Sequence, residues 1–309
     1  MYQSGFRSEL RIIKKNLIRR RWVYLMLVPV VAYYIIFNYW PMYGVQMAFR
    51  NFNPMVGISR SPWVGIQHFQ SFFNSFFFWR LLRNTFLISF YNLLFAFPAP
   101  IILALLLNEI RKIKFKRTVQ TIVYLPHFVS VVVVAGMMHD FLRQEGIINS
   151  IVAFFGGERT SFLLELHTFR PVFIISDIWQ GVGWGSIIYL AALTSIDMEL
   201  YEAARIDGAG RFKQLIHITF PGILPTVIIM LILRCGQLMN VGAEKMLLLY
   251  SPTTYEVADI IQTFVFRRGL VEMNFSYATA VGLFNSVINF TMLVTVNFIA
   301  KKTQETSLF

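Results

Sequence analysis

The side chains able to cut, transfer or coordinate are few in this chain, and they do not gather. Its histidines, His68, His127, His139, His167 and His217, are scattered, so the two histidines four apart with a neighbouring glutamate that a zinc protease needs are missing. The single cysteine, Cys235, excludes an internal disulfide framework and a multi-cysteine metal site, and reads as a small apolar filler. No GxxxxGK(S/T) loop is present to cradle a nucleotide phosphate. The expectation is therefore no catalytic residue, no metal and no cofactor bound by this chain. What remains is recognition chemistry. The stretch SDIWQGVGWGSIIY carries Trp179, Gln180, Trp184 and Tyr189 among glycines, Tyr91 is followed by Asn92, and Asn285 and Asn289 stand four apart on one helix face. Rings suit the faces of pyranoses and amides suit their hydroxyls, although the same residue types also build interfacial aromatic belts and helix contacts.

A second group is acidic. Asp197, Glu199, Glu202 and Asp207 fall in a short polar stretch that runs into EAARIDGAGRFKQLIHITFP and lies between two long apolar runs. Asp197 can cap a helix whose first turns hold Glu199 and Glu202, where the positive end of the helix dipole favours acids. Gly208 can close that helix in the left-handed conformation. A second amphipathic turn with Phe212, Leu215 and Ile216 then leads to Pro221 and Pro225. The stretch reads as a surface helix, a hinge and a re-entry. Its small residues, Ala203, Ala204, Ala209 and Gly210, allow close approach by another protein.

The elements that must position these groups are membrane helices. Of 309 residues, 56% are hydrophobic, 16% aromatic and only 14% charged, outside the norm for soluble proteins. About 20 apolar residues cross the hydrocarbon core, and six runs qualify: Trp22 to Phe49, Asn84 to Asn108, Thr118 to His139, Pro171 to Ile196 with Asp177 near its start, His217 to Asn240 with Arg234 inside, and Asn274 to Ala300. The first run lacks a small-residue cleavage site and reads as a retained helix. Glu145 to Phe155 and Tyr255 to Arg267 read as shorter helices outside the spans. Seventeen of the 28 Lys and Arg residues fall in the two termini and the loops after the second and fourth runs, against eleven in the longer alternate segments when Arg234, inside the fifth run, is counted with them. That bias puts both termini in the cytoplasm. A net charge of +12 spread this way fixes topology and excludes nucleic-acid binding.

The acidic stretch resembles the EAA loop of the inner-membrane permeases of binding-protein-dependent ABC importers, in which Glu-Ala-Ala is followed by Gly and then by Ile-x-Leu-Pro. Glu202, Ala203, Ala204, Gly208, Ile218 and Pro221 match in register, with Phe220 where the pattern has Leu. YWPMYGVQMAFRNFNPMVGISRSPWVGIQHFQSFF, from Tyr39 to Phe73, is similar to the first outer region of sugar permeases of the oligosaccharide and polysaccharide-fragment branch, and NTFLISF, YLPHFVSVVVVAGMM and FNSVINF fit the same family in order.

The resemblance implies an all-α membrane protein of the type I importer permease kind (MetI-like). Its parts would be a basic tail over 1–21, a first helix and outer loop over 22–79, a five-helix core over 80–300 and a tail over 301–309. It implies two permease subunits, two ATPase subunits that hold ATP and Mg, an extracytoplasmic solute-binding protein, and a place in the bacterial cell membrane. Glu202, Ala203, Ala204, Asp207, Gly208 and Ala209 would form the coupling helix and its hinge, with Glu202 meeting an Arg or Lys of the ATPase. Four acids suit a basic protein groove better than a lipid surface, which favours Lys and Arg on the helix. Arg50, Arg60, Arg80 and Arg83 in the first outer loop suit an anionic ligand such as a uronate oligosaccharide, an acidic patch on the binding protein, or anchoring to lipid phosphates or against other outer loops, and the position of Arg80 and Arg83 beside the second run favours the anchoring. Two alternatives stay open: an ion-driven secondary transporter, which should show buried acids and an internal repeat, and a permease for a solute other than a sugar.

Overall fold

The structure, a computed structural model, describes residues 19–304; most of the basic N-terminal tail and the last five residues lie outside them. The chain divides into two compact units, one up to His68 and one from Phe69.

In the first unit, α1 (Arg21–Tyr34) runs without interruption into a π-helical segment, Ile35–Tyr39, and a 3-10 segment, Trp40–Phe49. No residue from Arg21 to Tyr39 is buried, as expected of a span whose hydrophobic surface faces lipid or another chain. Beyond it Arg50 closes a small loop: its guanidinium donates to the carbonyls of Ser59 (3.2 Å) and Ser61 (2.9 Å) and lies over the Trp63 ring, which stacks on Phe49. Arg50 is therefore used within its own loop.

The second unit holds the remaining spans. α2 (Phe78–Tyr91) and α3 (Pro98–Glu109) are joined by a π segment, Asn92–Ala96, into one membrane-length helix. Likewise α9 (Arg211–Gln214), a π segment (Leu215–Thr219) and α10 (Phe220–Cys235) form one helix from 211 to 235. In three places, Tyr39 before Pro41, Ala96 before Pro98 and Thr219 before Pro221, a π segment ends two residues before a proline. Proline lacks the N–H for the i→i−4 bond and its ring crowds that carbonyl; the wider turn absorbs the mismatch without a sharp break. At these three places the proline shifts the register of the span without breaking it.

The third expected span, Thr118 to His139, is not straight. α4 (Ile113–Tyr124) with a 3-10 turn through Phe128, and the stretch containing α5 (Val131–Leu142) and α6 (Ile147–Phe154), meet at 99°. Pro126 lies in that turn, and Ser130 caps α5 by accepting from the amide of Val133 (3.3 Å). The following helix, α7 (Leu166–Leu193), is central and packs on α3, α4 and α10. Gly183 lies so close to the Val123 carbonyl that a Cβ has no room, and a Cβ at Gly185 would press on Pro100 at 3.0 Å. Small residues that let helix backbones meet are a membrane-packing device. α7 then turns by 72° into α8 (Met198–Ile206). Among the described residues, four unbroken helices are long and apolar enough to cross a membrane, and the two bent pairs raise the number to six.

After α10 the chain does not continue to Asn240 as a helix. It breaks at Gly236, turns at Gly242 in the left-handed region (φ 47°), and folds back as α11 (Ala243–Leu249). Asn285 and Asn289 of α14 (Phe275–Gln304) both donate to Asn240 Oδ1 (2.8 and 3.1 Å), and Asn289 Oδ1 accepts the Met239 amide (2.9 Å). The predicted helix over Tyr255 to Arg267 is two, α12 (Tyr255–Ala258) and α13 (Ile261–Phe266), broken at Asp259. Asp259 is fully buried, paired with Arg267 (2.7 Å) and Arg80 (3.4 Å), and accepts from Thr263 (2.8 Å). Burial alone would lower the pKa of Arg267, but its hydrogen bond to Asp259 and the carboxylate charge raise it above the ordinary value. The fully buried Asn84 of α2 donates to the carbonyls of Glu256 (2.9 Å) and Asp259 (3.1 Å) and accepts from Arg170 (2.8 Å). These bonds fix the break. Thr85 Oγ1 supports it by accepting the buried Ile261 amide (3.0 Å). Thr85→Val is expected to leave that donor unpaired and cost about 1–3 kcal/mol, measured as a lower unfolding midpoint in detergent with the helical content unchanged.

Candidate functional site

Two sites lie at different heights along α7. The first is the turn into α8. Asp197 Oδ1 accepts the Glu199 amide (2.9 Å) and caps the helix start, Glu199 sits in the first turn and Arg205 in the last. The end is closed by three amides: Asp207 to Ala203 O (3.0 Å), Gly208 to Arg205 O (3.1 Å) and Ala209 to Ala204 O (2.8 Å). Gly208 has φ 75°, a left-handed conformation that a residue with a Cβ adopts only at a cost. Nothing lies within 4 Å of a Cβ added there, so the requirement is conformational and not spatial. Gln214 Nε2 donates to Ala209 O (2.7 Å) and the Tyr201 hydroxyl meets Thr219 Oγ1 (3.0 Å), which tie α8 to the re-entering span.

Glu202, Ala203, Asp207 and Gly208 are exposed, and Ala204 and Ala209 are half-buried. Glu199, Glu202 and Asp207 make no ion pair among the described residues. Beside them Ile206 is 87% and Phe212 73% exposed. The result is a rigid, doubly capped rod with free carboxylates and bare apolar side chains, set across the end of the bundle. Gly208 is the turn that follows the helix and not part of it.

The second site is a cleft of about 610 Å³ between α7, the π segment at Asn92 and α10, lined among others by Asn92, Asp177, Tyr189, Arg234 and Gln237. A string of polar groups crosses its wall. Lys245 of α11, 4% exposed, donates to Asp177 Oδ1 (2.7 Å) and Ser176 Oγ (3.2 Å). Asp177 Oδ2 accepts from Asn92 Nδ2 (2.8 Å), and Asn92 Oδ1 accepts from Arg234. The observed helix begins at Leu166, so Asp177 lies about 16 Å along it, deeper than its expected place near the start. The turn at Asn92 and Pro98 brings Asn92 to the cleft, and the fold-back at Gly242 brings Lys245.

The other residues expected along a substrate path are dispersed. Tyr189 is buried and lines the cleft; Tyr91 is half-buried and lines a neighbouring hollow with Arg170. Gln180 donates to Val129 O (3.2 Å) and holds the bend of the third span. Trp184 stacks on His127 at the same bend (4.6 Å between centroids), and Trp179 faces an apolar groove with Met138 and Phe141. Asn285 and Asn289 hold Asn240. Lys245 was absent from the expected set because a lone lysine in an apolar loop carries no spacing signal for a partner at Asp177. Among the described residues no group of three or more His, Cys, Asp or Glu side chains could hold a metal.

The chain is 46% identical over 292 residues to Protein LplB of Bacillus subtilis (strain 168), covering 94% of this chain and 92% of that protein. It is 44% identical over 295 residues to the polygalacturonan/rhamnogalacturonan transport system permease protein YteP of the same organism, covering 95% and 92%. Among solved structures it superposes with a TM-score of 0.88 and 42% identity on a chain of a bacterial ABC transporter involved in the import of the acidic polysaccharide alginate, covering 94% of this chain and 99% of that one. The all-helical importer-permease fold implied by the EAA-like loop is thereby found. Residues 96–305, which contain the capped rod and all of the cleft lining except Asn92, match the binding-protein-dependent transport system inner membrane component family, and the chain belongs to that family.

Proposed function

We propose that the chain is one of two permease subunits of an ATP-driven importer that takes an oligosaccharide from an extracytoplasmic binding protein, with both termini in the cytoplasm. α8 then faces the cytoplasm and seats in a groove of an ATPase subunit. The observation that carries the reading is the exposed, acid-bearing rod at 72° to the central helix: such a rod passes a movement of its partner directly into α7. Glu202, Ala203, Ala204, Asp207, Gly208 and Ala209 form the coupling element, with the carboxylates meeting basic groups. ATP and Mg belong to the partner subunits, and this chain performs translocation without chemistry. The solute class is supported by the names of the relatives and by the aromatic and amide lining of the cleft.

Uptake of a labelled oligosaccharide by cells is the test. Deleting the ATPase subunit is expected to abolish it, whereas collapsing the proton gradient with ATP maintained leaves it unchanged. The opposite pattern refutes the reading in favour of an ion-driven carrier. Pairing of Asp177 with Lys245 and Asn92 also disfavours that carrier, since a proton-coupled mechanism needs an acid free to titrate inside the membrane.

A further inference from the structure

We infer, resting on the oligosaccharide-import reading, that Arg234 reads the charge of the transported molecule by taking one of its carboxylates, and that Asn92 is the residue that positions it. The cleft wall holds one cation, Arg234, and one acid, Asp177, and a second cation, Lys245, lies buried behind Asp177. Lys245 is sealed: it is 4% exposed, 2.7 Å from Asp177, hydrogen-bonded to Ser176 and set over the Phe173 ring. Its charge cancels that of Asp177. Arg234 is not cancelled. It is exposed to the cleft and forms no ion pair among the described residues, and it donates to the neutral amide of Asn92.

Asn92 makes that arrangement specific. Its Nδ2 is committed to Asp177 and its Oδ1 to Arg234, so the amide has a single orientation, and it keeps the guanidinium one residue away from the carboxylate that would otherwise neutralise it. A cation inside a membrane protein costs free energy and marks a functional position. The remaining guanidinium donors present a planar fork, which matches a carboxylate in two parallel hydrogen bonds. Around it the cleft supplies what a sugar ring needs. Tyr189 and Phe97 give aromatic faces, Gln237 an amide, and Gly181 and Gly185 leave the wall open. A volume of about 610 Å³ lies within the roughly 300–1,000 Å³ of small-molecule sites. Arg234, Asp177 and the buried Lys245 together carry +1, so one acidic residue of the passing chain balances them.

The test uses the complete importer in proteoliposomes, with trigalacturonate and its fully methyl-esterified form as probes and the binding protein's affinity for each measured separately for normalisation. The ester removes the charge and adds one methyl per carboxylate. Arg234→Gln is expected to lower uptake of the acid about tenfold or more while uptake of the ester stays within about twofold of wild type. Arg234→Lys, which keeps the charge and loses the fork, falls between. Asn92→Leu lowers the acid-to-ester ratio without abolishing uptake of the ester. Equal loss of both probes in Arg234→Gln and Arg234→Lys, or no loss of the acid, overturns the inference and leaves the import reading intact. Uptake of neither probe by the wild type, with both bound by the binding protein, overturns the reading and the inference together.

Discussion

Glu202→Lys is expected to reduce ATP-driven uptake roughly a hundredfold or more while the protein still inserts and folds. The side chain is exposed and makes no ion pair among the described residues, so its replacement costs the isolated subunit almost nothing. Against a basic groove the reversed charge sets like against like, which costs several kcal/mol at an interface. The readouts are copurification of the ATPase subunits, expected to be lost, and the thermal midpoint of the isolated subunit, expected to be unchanged. Retained association together with normal uptake refutes the coupling role. Gly208 provides a graded control. With open space around an added Cβ, Gly208→Ala suffers only the left-handed backbone penalty of about 1–2 kcal/mol. The β-branched chain of Gly208→Val is stiffer and tolerates that conformation less well. Uptake should therefore fall in the order Gly, Ala, Val, and a flat series means that the hinge carries no load.

The second large effect is on stability. Lys245→Met is expected to destabilise the folded subunit by about 3–5 kcal/mol, because it leaves the Asp177 carboxylate, only 21% exposed, without its counter-ion. Dispersion gained by the methionine is small beside that loss. Adding Asp177→Asn should recover most of the deficit, since a neutral pair of similar volume removes the charge that was stranded. A drop in yield and in the unfolding midpoint for the single variant, restored in the double variant, is the expected pattern. Two equal drops mean that the pair is replaceable packing and not a charge balance.

Much of this was legible in the sequence, for reasons that are local. Asp197, Glu199, Glu202 and Gly208 follow the rules of helix capping over a dozen residues, and α8 forms with its cap and its left-handed turn as those rules require. Asn285 and Asn289, four apart, do share a face and a target. The misreadings arise where distant residues decide. A straight span over Thr118 to His139 satisfies hydropathy, but Pro126, the Ser130 cap and a hydrogen bond from Gln180 in α7 impose the bend. The helix over Tyr255 to Arg267 breaks because Asn84, more than 170 residues away, takes the carbonyls at the break. The polar string in the cleft joins the π segment after α2, α7, α10 and α11, and no periodicity within one segment could announce it. Pro41, Pro98 and Pro221 were visible, yet their effect is to widen turns, since backbone hydrogen bonds inside a membrane must be re-satisfied and not abandoned.

Asp177 and the turn into α8 belong to one continuous helix, α7, about 24 Å apart along its axis. Two ligands that act on a single stiff element are thermodynamically linked, and linkage runs equally in both directions. If nucleotide closure below displaces the helix and alters the affinity of the cleft for its cargo by some factor, cargo must alter the closing equilibrium by the same factor. Under the proposed coupling, an occupied pore is then felt at the nucleotide end through the same bar that carries the push, without a separate sensor.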